Sequence, residues 1–189
     1  MSLLDKAIAA ITPPESDEDR ADARRKAEAA ATPGDWLSAV LDHHRQIESA
    51  FDTVAAAHDA SSRTEALKAL GLILTGHSIA EEVAIYPALA AHHEAGHAEL
   101  AYQEQSAAKM ELGLLERLDP MSEDYQDKFE HIRGAVLHHV YSEEGTWFPE
   151  LTQSLHGDEQ AKITKRYHEE FARYMGTETH QSAFFATQA

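Results

Sequence analysis

The chain has 189 residues, no cysteine, and 33 acidic against 16 basic side chains, a net charge of −17 with histidine neutral. The length suffices for one domain with a sizeable core, and the lack of thiols excludes disulfides, thiolate zinc sites and iron–sulfur clusters. The charge is unfavourable to nucleic acid and to anionic membranes, and no apolar run approaches the roughly 18 residues of a membrane span. Residues 3–11 carry Asp5 and Lys6 and lack the form of a signal peptide. The expectation is a cytoplasmic protein with no nucleic-acid and no membrane partner. Alanine, glutamate and leucine dominate while glycine and proline mostly punctuate, which favours an all-helical fold.

In chain order, residues 3–11 read as a short helix stopped by Pro13 and Pro14. Ser16 then caps a charged helix that runs to about residue 31, where Thr32, Pro33 and Gly34 break it. Residues 1–33 thus form an N-terminal helical arm. The core, residues 34–157, opens with a helix over about 35–58 whose inward seam is Leu37, Val40, His44, Ile47, Phe51 and Val54. A second helix spans about 62–93, with Ser62 and Glu65 as a capping box and a kink at Pro87. A third covers about 97–118, and residues 119–122 connect it to a fourth over about 123–155, kinked at Pro149. Residues 158–189 supply a further amphipathic helix to about residue 175, then a frayed tail. Its stripe of Ile163, Tyr167, Phe171 and Tyr174 or Met175 is expected to pack on the bundle or on a second copy of the chain, as in a homodimer. Four long helices with short connections predict an antiparallel up-down four-helix bundle, with the N-terminal extension and the extra C-terminal helix added to it.

One pattern occurs twice, 62 residues apart. His77-x-x-x-Glu81-Glu82-x-x-x-Tyr86-Pro87-x-Leu89 is repeated as His139-x-x-x-Glu143-Glu144-x-x-x-Phe148-Pro149-x-Leu151. Upstream, Leu67, Leu70 and Leu74 correspond to Phe129, Ile132 and Val136, so both rows advance by three and four residues along the buried face of a helix. Each copy puts an imidazole and a carboxylate one turn apart on that face. Burying them unpartnered is costly, and a metal ion between helices satisfies both. Two such helices paired make a dinuclear site. The plainer alternative is a pair of buried His–Glu hydrogen bonds.

His44 adds a third seam imidazole, with its neighbour His43 as an outer residue or a substitute. The remaining histidines, His58, His92, His93, His131, His156, His168 and His180 among them, lack ligand spacing.

These motifs resemble the hemerythrin-like HHE family of cation-binding domains. The match consists of Asp42-His43-His44-x-x-Ile47, the His77–Glu81–Glu82 segment, and the His139–Glu143–Glu144 segment with Phe148 and Pro149, over roughly residues 35–155. The resemblance implies a hemerythrin-like bundle around two non-heme iron ions bridged by carboxylates and an oxo or hydroxo group. The third helix departs from the family, which usually places a histidine there after a glutamate; here the pair is Glu104-Gln105. Three arrangements are open. Glu104 replaces the imidazole, Gln105 leaves an open or water-filled position, or Tyr102 reaches in as a phenolate; a single-metal site is a fourth outcome. With Glu104 chosen, the expected ligands are His44, His77, Glu81, Glu104, His139 and Glu143.

The expected function is binding of, or reaction with, a small oxidant such as dioxygen, nitric oxide or hydrogen peroxide. Replacing an imidazole by a carboxylate or water favours the ferric state, which points toward peroxide or nitric oxide. The alternative is a non-enzymatic iron sensor or store that signals through metal-dependent stability or partner binding, and turnover separates the two. A metal-free interaction domain is the third reading.

Overall fold

The computed structural model describes residues 15–92 and 95–176, and among these every regular element is a helix. The short helix expected over 3–11 and the tail beyond Gly176 lie outside the described residues. Helix α1 (Asp17–Ala30) begins with a reciprocal cap: Asp19 N–H donates to Ser16 Oγ, and Ser16 N–H donates to the Asp19 carboxylate. Asp17, Glu18 and Asp19 in its first turn suit the positive end of the helix dipole. Ala23 and Ala27 form its buried face.

Helix α2 (Trp36–Ala56) is capped by Asp35 and buries its whole expected seam, including His44. Helix α3 (Ala60–Ala84) starts earlier than its pattern predicts. Its cap is Asp59, whose carboxylate accepts from Ser62 N–H at 2.9 Å, so Ser62 is inside the helix rather than at its start. A carboxylate at this position interacts favourably with both the free N–H groups and the dipole.

The two prolines interrupt their helices differently. Pro87 has no N–H to return to residue 83, and the chain breaks at Ile85, giving α3 and a separate α4 (Tyr86–His92). Pro149 follows a π-helical turn, Glu143–Trp147, which links α6 (Glu123–Ser142) to α7 (Phe148–Ser154). The Gly145 carbonyl, which an α-helical residue 149 would have bonded, instead accepts from Lys26 Nζ of α1 at 2.6 Å. A π turn widens the helix by about one residue per turn, and this is what turns two successive glutamates, Glu143 and Glu144, into the interior.

Helix α5 (Ala95–Leu115) buries Ala98, Ala101, Gln105, Leu112 and Leu115. Helix α8 (Gly157–Met175) lies mainly along α3 and also against α2; its stripe of Ile163, Tyr167, Phe171 and Met175 is buried there, within the chain. Close approach depends on Gly76, where a Cβ would stand 2.9 Å from Tyr174 Cδ1 and 3.1 Å from Met175 Sδ. Helix α1 packs on the π turn, α2 and α7, and α5 on α4 and α6. Fully buried Leu37, Ile47, Phe51, Leu70, Ile73 and Phe148 each contribute on the order of 2 kcal/mol of burial free energy. The imidazoles and carboxylates in the same seams act in the opposite sense unless each polar atom finds a partner. No described helix is long and apolar enough to cross a membrane.

Candidate metal centre

Three helices bring His44 (α2), His77 and Glu81 (α3), and Glu143 (start of the π turn) together with ligand atoms all within 4.8 Å of one another. All four are buried. His44 Nε2 lies 3.3 Å from Glu143 Oε2 and 4.0 Å from Glu81 Oε1, while His77 Nε2 lies 3.2 Å from Glu81 Oε2. His44 Nε2, Glu81 Oε1 and Glu143 Oε2 have no hydrogen-bond partner. Three buried, orphaned atoms facing one another are expensive. A cation among them satisfies all three, so the residues fit a metal.

A second set adjoins the first. His139 Nε2 lies 3.2 Å from Glu143 Oε1. Tyr86 Oη sits 2.9 Å from Glu143 Oε1, 3.2 Å from Glu81 Oε2 and 3.2 Å from His139 Nε2. Glu143 therefore turns one oxygen toward His44 and the other toward His139, the geometry of a carboxylate between two positions.

Each imidazole is held by its other nitrogen. His44 Nδ1 is 2.7 Å from Glu144 Oε1, and Arg24 of α1 donates to Glu144 Oε2 at 2.6 Å. His139 Nδ1 is 2.8 Å from Glu104 Oε2. His77 Nδ1 is 3.1 Å from Tyr167 Oη, which is also 2.7 Å from His43 Nδ1. Pinning Nδ1 in this way fixes the ring and directs the Nε2 lone pair inward, as at metal-ligating histidines.

The electrostatics divide the centre. Burial, the largest influence on His139, lowers its pKa, but Glu143 and then Glu104 outweigh it and push the value up to about 10. His44 is raised in the same way to about 9, with Glu143 and Glu144 overcoming burial. His77 is held well below the ordinary range by burial and by the neighbouring His44 and His43. Burial raises the Glu81 pKa well above the usual carboxylate range, and Glu143 adds to it. Burial also opposes the charge on Glu143, but His139 and His44 win and hold its pKa low.

The sequence-expected residues are thus placed as follows. His44, His77, Glu81 and Glu143 form one cluster, and His139 joins it through Glu143 and Tyr86. Glu104 is half-buried and stands on the far side of His139, bonded to Nδ1 rather than facing the cluster. Gln105 is buried and donates through Nε2 to Glu81 Oε2 at 2.6 Å. Tyr102 is exposed and donates to the Glu82 carbonyl at 2.6 Å instead of reaching inward. His43 points to Tyr167 and stacks on Phe171 at 3.8 Å, leaving His44 as the inward residue.

Four participants escaped the sequence pattern. For Tyr86 the available signal is its hydroxyl, which Phe148 at the same motif position lacks. Glu144 follows Glu143 directly and is turned in by the π turn, for which Gly145 and Pro149 are the signal. Arg24 and Tyr167 come from helices whose docking no local pattern specifies.

A DNA nickase of Nostoc sp. (strain PCC 7120 / SAG 25.82 / UTEX 2576) is 25% identical over 116 residues, 61% of this chain and 33% of that protein. The chain therefore aligns with only about a third of that relative's length. No solved structure gives a significant match. The model of the hemerythrin HHE cation-binding domain matches residues 37–151, from the second residue of α2 to the last buried leucine of α7. With its buried histidines and glutamates gathered on those helices, the chain belongs to the hemerythrin HHE cation-binding family.

Proposed function

We propose that this protein holds two iron ions in an antiparallel four-helix arrangement of α2, α3, α5 and α6, and binds or reacts with a small oxidant there. The candidates are dioxygen, nitric oxide and hydrogen peroxide. The observation that carries the proposal is the common orientation of three imidazoles. His44, His77 and His139 each have Nδ1 engaged by an outer partner and Nε2 turned toward shared carboxylates. A merely structural pair of His–Glu bonds has no need of orphaned His44 Nε2, Glu81 Oε1 and Glu143 Oε2 in one place.

The residues divide the work. His44, His77, Glu81 and Glu143 would hold one ion, and His139 with the two carboxylates the other. Bound iron supplies the redox chemistry, exchanging electrons with the oxidant. Trp147, 6.0 Å from the His139 ring and stacked on His97, and Phe171, stacked on His43, keep bulk water from the imidazoles. Tyr167 fixes proton positions. Its hydroxyl can donate to only one of two Nδ1 atoms. With His77 using Nε2 as a ligand, His77 Nδ1–H donates to Tyr167 Oη and Tyr167 donates to His43 Nδ1. That assignment needs a neutral His43, and burial first, then His44 and His168, holds its pKa down to about 3.

A second reading, a non-enzymatic iron sensor or store, is favoured by one feature. Arg24 in α1 and Tyr167 in α8, both outside the family match, bond to the partners or rings of the inner histidines, so metal occupancy is coupled to both outer helices. Turnover separates the readings: sustained consumption of peroxide or nitric oxide supports the first, and metal-dependent stability without consumption supports the second. The DNA nicking in the relative's name is not carried over, because the alignment covers a third of that protein and a charge of −17 repels phosphate backbones.

A further inference from the structure

Resting on the two-iron reading, we propose that Tyr86 is itself a metal ligand, a phenolate that takes the coordination position for which α5 offers only the amide of Gln105. Tyr86 is fully buried and its ring packs edge-on against Tyr102 at 5.1 Å. Its oxygen is about 3 Å from donors of three residues, two carboxylates and an imidazole: Glu143 Oε1 at 2.9 Å, Glu81 Oε2 at 3.2 Å and His139 Nε2 at 3.2 Å. Neighbouring donors on an octahedral ion with bonds of about 2.1 Å lie about 3 Å apart. The phenol oxygen is spaced as one more vertex of the set that His139, Glu143 and Glu81 begin.

Without an ion the same spacing is held by hydrogen bonds. A phenol has one proton, and two carboxylate oxygens stand within reach of it. Donation to Glu143 leaves Glu81 Oε2 to Gln105, and His139, whose charged form Glu143 and Glu104 favour, faces the phenol oxygen with an Nε2–H that a bound ion would displace. Packing does not require the hydroxyl. The equivalent residue of the second motif copy is Phe148, which fills its place against Trp36 at 5.4 Å with no polar atom. The hydroxyl occurs in the copy whose aromatic side chain reaches across to His139 and Glu143. That is also the side on which α5 contributes Gln105 and sends Glu104 to the outer face of His139.

On coordination the phenol loses its proton to solvent, one proton for each ion bound at this position, and no electron is transferred. The α3–α4 break at Ile85 is what aims the ring: a continuous helix through Pro87 is sterically disfavoured, and the turn carries Tyr86 into the interior.

The test compares the iron-loaded, oxidised full chain with Tyr86→Phe, which keeps the ring and its packing, and Tyr86→His, which offers another donor. Visible absorption, resonance Raman spectra and iron content are read for each, with melting of the metal-free proteins as a check on folding. The expected result is a phenolate-to-ferric absorption with enhanced tyrosine ring modes in the native chain. Both vanish in Tyr86→Phe, where affinity for one of the two ions falls at least ~10-fold, and Tyr86→His regains iron without the tyrosine modes. Two irons in the native chain with no tyrosine modes, or modes that survive in Tyr86→Phe, overturn the assignment while leaving the two-iron reading intact. Failure of the native chain to take up iron overturns both.

Discussion

The two copies of the His-x-x-x-Glu motif have one spacing and two environments. In the first, on α3, His77 is kept neutral by burial and by flanking imidazoles, and its outer partner is an uncharged phenol, Tyr167. In the second, His139 lies between two carboxylates, Glu143 and Glu104, which overcome burial and favour its charged form. The following glutamates diverge as well. Glu82 stays in the outer layer and pairs with Lys109 at 2.5 Å, whereas Glu144 is turned inward by the π turn onto His44 and Arg24. A repeated sequence pattern thus fixes which side chains face inward, while the partners arriving from other helices set their charge.

The sharpest way to break this contrast is to remove one carboxylate at a time. Glu143→Ala leaves two imidazoles with raised pKa, His44 and His139, without their shared counter-charge. It should destabilise the metal-free protein by about 3–5 kcal/mol, the cost of breaking a buried ion pair, and abolish binding of both ions. Glu81→Ala should cost less in the metal-free protein, because burial and Glu143 already favour the neutral form of Glu81, but should also reduce metal content. Denaturant unfolding and metal analysis of both variants check the order; equal losses would mean that the copies are electrostatically equivalent.

Acidity probes the same asymmetry. The folded-state values of about 9 for His44 and about 10 for His139 lie above the ordinary 6.5. Their contribution to the metal-free fold is fully present below about 6.5 and is lost as pH rises through 9 to 10. Metal binding must displace those protons, so its dependence is reversed. Iron(II) affinity should rise about tenfold or more per pH unit from neutrality toward pH 9, measurable by calorimetry in buffers of different ionisation enthalpy. A flat profile would show that both imidazoles are already neutral.

The outer partners come next. Glu104→Ala should retain two binding positions with affinity lowered about 10–100-fold, as for loss of an outer carboxylate from a ligating histidine. Tyr167→Phe should fall at the lower end of that range, since a neutral bond is lost. Loss of one ion outright in Glu104→Ala would instead make Glu104 a direct ligand. The smallest contrast is between the second glutamates. Glu144→Gln should lower metal affinity by about tenfold through His44, whereas Glu82→Gln, which breaks only a part-exposed pair with Lys109, should change stability by no more than about 1 kcal/mol.

The helical seams were legible in the sequence because period and burial are local properties: Leu67, Leu70, Leu74, His77 and Glu81, and their counterparts Phe129 to Glu143, are all buried. His44 over His43 followed from the same period. The surroundings of the site were not legible, for three physical reasons. The π turn depends on a carbonyl freed by Pro149 and taken up by Lys26, a partner 119 residues away. The inner face of α5 is set by how that helix rotates against α6, which favours Gln105 over Glu104 by one position. Arg24 and Tyr167 reach the site only after α1 and α8 dock, and docking of an amphipathic helix is a tertiary event that no local period encodes.

Metal content and the optical spectrum of freshly purified full chain, made with ample iron, test the central claim most directly. Two irons per chain, lost together in Glu143→Ala, is the result predicted by carboxylates shared between two positions. One ion per chain, zinc in place of iron despite its competitive affinity, or a metal-free protein of unchanged stability would contradict it.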